Sequence, residues 1–103
     1  MLVSNSQQSN IEIGKVYSFI YESFGKHEVI GTCVNVSNNQ LVFNGLYKVS
    51  NELNSQLEEV YRFSPILSGV AKDNAYIIKP EKICVIGEVI DEILLTQYKN
   101  SIE

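Results

Sequence analysis

At 103 residues the chain suits one domain and leaves no room for two. Hydrophobic residues make up 45% and charged residues 19%, a globular balance that excludes a wholly disordered chain. The formal net charge of −4 argues against a general nucleic-acid clamp, because phosphate binding shows as excess Lys and Arg; a local basic site on an acidic body stays compatible with it.

Residues 1–10 are polar and rich in Ser, Asn and Gln, with no basic or apolar signal region, and predict a disordered lead on a cytoplasmic protein. No apolar run approaches the roughly 18 residues of a membrane span. Residues 15–22 (KVYSFIYE) alternate, with Tyr17, Phe19 and Tyr21 on one face and Val16 and Ile20 on the other, which predicts a strand. Residues 23–28 form a turn around Gly25. Residues 29–36 (VIGTCVNV) predict a second strand, with Ile30, Val34 and Val36 sharing a face and Gly31 marking a bend.

Residues 37–39 (SNN) read as a short turn. Residues 40–49 predict a third strand in which Leu41, Phe43, Tyr47 and Val49 alternate and Gly45 offers a second bend. Residues 50–56 fit either a capped helical stripe or a polar hairpin loop; the loop reading is preferred, followed by a strand over 57–67 that ends near Pro65, at an open border. Residues 68–74 read as a turn. Two apolar runs, AYII and ICVI, then flank Lys79-Pro80-Glu81-Lys82, where Pro80 enforces a tight connection. Residues 88–99 predict a helix with Val89, Ile90, Ile93, Leu94 and Tyr98 along one side, acidic groups in its first turns and Lys99 in its last.

The whole predicts a mainly β domain over 11–87, closed by an amphipathic helix and tail over 88–103. Five strands with short turns suit a small, strongly bent five-stranded barrel.

Two stretches resemble the Sm-like (LSm) family. Residues 29–43 (VIGTCVNVSNNQLVF) are similar to its first motif: an early glycine, alternating apolar residues, a polar turn containing Asn, then an apolar strand. Residues 76–86 (YIIKPEKICVI) look like its second motif, with Lys79 where the family has its basic residue and Pro80 where it has glycine. The pattern is closer still to Sm-like proteins encoded by tailed phages, which carry a C-terminal acidic helix with a Tyr, as in residues 88–98 (EVIDEILLTQY). The resemblance implies a homo-oligomeric ring of about five to seven copies that binds single-stranded RNA, with Ser37, Asn38, Asn39 and Lys79 as the nucleic-acid residues. The sequence departs from the family in having Ser37 and Asn38-Asn39 around the turn, Lys79-Pro80 in place of Arg-Gly, and its helix after the barrel.

Each residue also has a plainer reading. SNN serves a turn by its backbone angles, and Lys79 is solvated. His27, the lone histidine, sits in a charged turn and supports neither a triad nor a metal site. Cys33 and Cys84 lie within apolar runs without a CxxC spacing, which predicts reduced, buried thiols and no zinc. Glu58-Glu59 and Asp91-Glu92 are adjacent and point in different directions. No phosphate-loop motif occurs, so neither cofactor nor catalytic set is expected.

The helix stripe covers either its own barrel, the preferred reading, or a neighbouring copy. The strand over 57–67 is apolar on both faces, through Val60 and Ile66 and through Tyr61, Phe63 and Leu67. As an open border it predicts edge pairing between copies. Three functions compete: a ring that binds RNA, an oligomeric adaptor of phage origin that makes only protein contacts, and, least supported, an enzyme.

Overall fold

The computed structural model describes residues 11–66 and 74–102. The lead over 1–10, most of the turn over 68–74, and Leu67 lie outside the described residues. The chain is a curled antiparallel half-barrel sheet with a C-terminal helix. Among the described residues six strands occur in chain order: β1 (Val16–Tyr21), β2 (Glu28–Val36), β3 (Leu41–Leu53), β4 (Glu59–Pro65), β5 (Tyr76–Ile78) and β6 (Ile83–Glu88), followed by helix α1 (Glu92–Ile102). The sheet order is β4-β3-β2-β1-β6. β5 joins the same border of β3 as β4, facing Leu41 to Phe43, whereas β4 faces Tyr47 to Leu53. The sixth strand arises because β4 and β5 divide one side of a single long β3.

That length overturns the loop expected over 50–56. β3 continues through Leu53, with Ser50 to Leu53 paired to Glu59 to Arg62, so only residues 54–58 turn. The Asn54 side chain builds that turn, its Oδ1 accepting from Gln56 N (2.8 Å) and Glu58 N (2.9 Å). A carbonyl answering backbone N–H groups in this way replaces the missing ladder partners.

The two faces of the sheet carry two cores. Tyr17, Phe19 and Tyr21 of β1 point into the curl and meet Val29, Phe43 and Ile78 there, all buried. Phe19 and Phe43 stack at 5.0 Å between centroids, a tilted pair of the kind that adds to area burial. Val16, Ile30, Tyr47 and Val49 lie on the outer face beneath Leu94 and Tyr98 of α1.

Alternation along β3 does not run through as expected. Gly45 and Leu46 both stand opposite Gly31, because Thr32 pairs with Asn44 and Ile30 with Tyr47. This bulge flips the side-chain parity, so Leu41 and Phe43 face inward whereas Tyr47 and Val49 face the helix. Gly45 takes φ +59°, a left-handed angle suited to glycine. Gly31 is required for a different reason: a Cβ there would collide with the Leu46 side chain. A second bulge, between Cys33 and Asn35, separates Ile30 from Val36: Ile30 packs outward, while Val36 opposes inward-facing Leu41.

The helix starts later than its acidic residues suggest. β6 stays paired through Glu88, opposite Tyr17, and Val89 N then donates to Val16 O at 2.9 Å. Asp91 caps the helix, with Oδ1 accepting from Ile93 N (2.9 Å) and Leu94 N (3.1 Å). An N-cap carboxylate satisfies amides that have no intrahelical partner. The helix covers its own sheet through buried Leu94 and Tyr98, assisted by Leu95 and Ile102. Of the expected stripe, Val89 is buried just before the helix, whereas Ile90 and Ile93 are 85% and 63% exposed. Among the described residues, no helix is long and apolar enough to cross a membrane.

Candidate nucleic-acid interface

Strand register brings the four expected residues to one end of the half-barrel. Val36 pairs with Leu41, and Leu41 pairs on its other side with Ile78. One step further along antiparallel β5, Lys79 comes level with Gln40, at the foot of the 37–40 turn. The turn closes on itself: Ser37 N donates to Gln40 O at 2.9 Å, and Ser37 Oγ donates to the same carbonyl at 3.2 Å. The Ser37 hydroxyl proton is thereby committed to the turn, which leaves Asn38 and Asn39 at its exposed tip.

Lys79 is held by its backbone and free at its side chain. Its N–H donates to the Tyr21 hydroxyl at 3.0 Å, and its carbonyl accepts from Lys82 N at 3.0 Å. Pro80 opens the 3-10 turn Pro80–Lys82 and is buried, with a fixed φ and no N–H to satisfy at that first position. Ile78, fully buried, anchors the strand behind Lys79. Among the described residues no carboxylate stands within ion-pair distance of the exposed Lys79 ammonium. The three ion pairs there are Lys15 with Glu12 and with Glu88, and Arg62 with Glu52. Lys82 adds a second exposed cation in the same turn, countered in sequence by Glu81.

The arrangement therefore offers two exposed Asn side chains, each carrying donors and an acceptor, at the same end of the sheet as the exposed Lys79. Such groups can hydrogen-bond base edges and a phosphate. Among the described residues no aromatic ring is exposed there to stack a base: Tyr21 is buried and Tyr76 is half-buried. The role of Tyr21, which seats Lys79, is hidden in the sequence, since its alternation marks it only as core.

β4 lies at an open border of the sheet, as its sequence predicts, but its apolar side chains are turned to the chain's own cores. Tyr61 and Phe63 pack against the second core beneath the chain's own helix, and Ile66 against the first. Val60 is half-buried, and Leu67 lies outside the described residues. The Tyr61 N–H donates to Gln97 Oε1 of α1 at 3.3 Å, so the helix also occupies a hydrogen-bonding point of β4. The apolar excess that argued for a partner copy at β4 is thus largely covered within one chain. No sequence signal identified Gln97, a polar residue in a helix.

The cysteines divide. Cys33 is buried in the first core, and burial pushes its thiol pKa up, away from a reactive thiolate. Cys84 is exposed, against expectation. The register of β6 against β1 shifts between Ile20 and Tyr21, so Cys84 has no residue opposite it. His27 is exposed in the turn between β1 and β2. The sequence matches no protein-family model and no curated protein.

Proposed function

We propose that the protein is a small Sm-like barrel that binds single-stranded nucleic acid, RNA foremost, at the end of the half-barrel formed by Asn38, Asn39 and Lys79. One observation supports this reading: Leu41 pairs with Ile78, so the backbone of Lys79 follows directly on from the strand that ends level with the 37–40 turn, as a shared polar, cationic patch requires. The strand order, with the last strand returning to pair with the first, supports the Sm-like reading of the barrel. Association of copies would repeat one Lys79 per protomer, which is how an acidic chain can present a locally basic rim. Ser37 holds the turn that presents the two Asn side chains.

Fluorescence anisotropy with labelled oligouridine and oligoadenine tests the reading. Binding at low ionic strength that falls on Lys79→Ala and on Asn38→Ala supports it. No affinity at low ionic strength, from a protein with an intact circular dichroism spectrum, removes it.

A second reading is favoured by the net charge of −4 and the absence of an exposed stacking ring: an oligomeric adaptor that makes protein contacts only. Protein purified from cells with the 260/280 nm absorbance ratio of pure protein, and self-association without nucleic acid, would favour it.

A further inference from the structure

The sheet ends in two unlike borders. β4 carries Glu59 and Arg62, tied to Asn51 (2.9 Å) and Glu52 (3.0 Å), and its Tyr61 N–H is taken by Gln97. Charges and a covering helix are the usual means by which a border strand is protected from further pairing. β6 has neither. From Ile83 to Gly87 it carries no charge, Val85 is 53% exposed, and among the described residues β6 pairs with β1 only.

We infer that β6 is an association surface for a second copy of this chain, pairing antiparallel with the same strand about a two-fold axis at Val85. The inference does not depend on nucleic-acid binding. Its register follows from charge. A two-fold at Val85 sets Lys82 of each copy against Glu88 of the other, giving two opposite-charge pairs at the ends of an uncharged centre. Identical antiparallel strands bring their backbone donors and acceptors together only when the two-fold axis lies at a residue. The neighbouring registers therefore have it at Cys84, which sets Lys82 against Ile86, or at Ile86, which sets Glu88 against Cys84; neither sets opposite charges together. Directly opposed like charges destabilise a strand pair, and opposite charges support it. The pairing of β6 with β1 is regular from Val85 to Glu88, so that half of the border runs straight; the irregularity lies at Cys84. A border of about six residues covers less than the roughly 800 Å² per partner of a standard interface, so the dimer forms at micromolar concentration or above.

Sedimentation equilibrium at low salt over a concentration series, without nucleic acid, tests this. The wild type is expected to pass from one copy to two. Lys82→Glu and Glu88→Lys alone should each weaken the dimer by about fivefold or more, and the double variant should return to within about threefold of wild type. Circular dichroism verifies that each variant stays folded. In a Cys84→Ser background, Val85→Cys should form an interchain disulfide under mild oxidant faster than Cys84 does in the wild type, since the axis passes through position 85. A wild-type chain that stays single throughout overturns the inference. So does a double variant that fails to recover, Val85→Cys that does not cross-link, or a particle of five to seven copies, which would require β4 as the second border.

Discussion

The Tyr98 hydroxyl donates to the carbonyl of Gly45 across 2.7 Å, at the bulge where β3 reverses the facing of its side chains. The same oxygen lies 3.0 Å from Thr32 Oγ1, on the strand opposite. One fully buried phenol therefore ties the C-terminal helix to both strands of the bulge. The ring fills the space over Gly45, where a Cβ would stand 2.7 Å from the hydroxyl. Tyr47 and Phe63 pack around it, with centroids at 6.5 Å and 6.2 Å.

Tyr98→Phe keeps the ring and removes the hydroxyl, leaving a buried Gly45 carbonyl without this donor. The expected loss is about 1–3 kcal/mol, read as a lower urea midpoint with an unchanged slope. Tyr98→Ala removes the ring as well and should cost about 3–5 kcal/mol.

Burial, opposed only partly by the Thr32 hydrogen bond, pushes the Tyr98 phenol pKa above its ordinary value of 10.0. Above pH 10 the unfolded chain releases this proton more readily than the folded one. The contribution is therefore complete below pH 10 and is lost as pH rises from there through the raised folded value. Tyr17, Tyr47 and Tyr61 shift the same way, chiefly through burial, so the wild type should lose stability steeply in alkali. Urea unfolding across pH 9 to 12 should show a shallower alkaline decline for Tyr98→Phe; an identical decline would refute the assignment.

Leu57 holds φ +64° in the turn that joins β3 to β4, and its side chain is 78% exposed. A left-handed angle costs a residue with a Cβ roughly 1–2 kcal/mol, and this leucine gains little burial in return. Leu57→Gly should therefore stabilise the protein by about 0.5–1 kcal/mol after the added chain entropy of glycine, measurable as a higher melting temperature.

If Lys79 contacts a phosphate, Lys79→Ala should weaken oligonucleotide binding across all sequences. It should also reduce the slope of log affinity against log salt by roughly 0.7 per site engaged. Asn38→Ala should leave that slope unchanged and alter the preference between bases. Anisotropy titrations at several salt concentrations separate the two.

Much of the sheet was legible because alternation in β1 is uninterrupted: Tyr17, Phe19 and Tyr21 face one core, as their spacing says. Pro80 and the polar 37–39 turn mark real bends, since each rests on a local backbone rule, whereas Gly31 stands opposite the β3 bulge to make room for Leu46. The parity of β3 was not legible. Gly45 signals irregularity, but a glycine does not say whether the strand bends or gains a residue, and only the second flips Tyr47 and Val49. The helix start was misplaced because Glu88, Asp91 and Glu92 all suit a first turn, while β6 pairing claims Glu88 and capping claims Asp91. The candidate site was legible as residue types; the nearness of Lys79 to the turn depends on which part of β3 receives β5, and no local pattern encodes that.

β6 completes the sheet by lying against β1, so the first strand made waits for the last. On a ribosome, β2 and β3 can zip onto β1 early, through short hairpins, while the far side of β1 stays bare until β6 has left the exit tunnel. Closure between distant segments is slow compared with hairpin formation. A nascent chain stalled before Ile83 would thus display the Val16–Tyr21 amides and carbonyls to whatever strand came by, which makes the interval before β6 emerges the period of greatest exposure to misassembly.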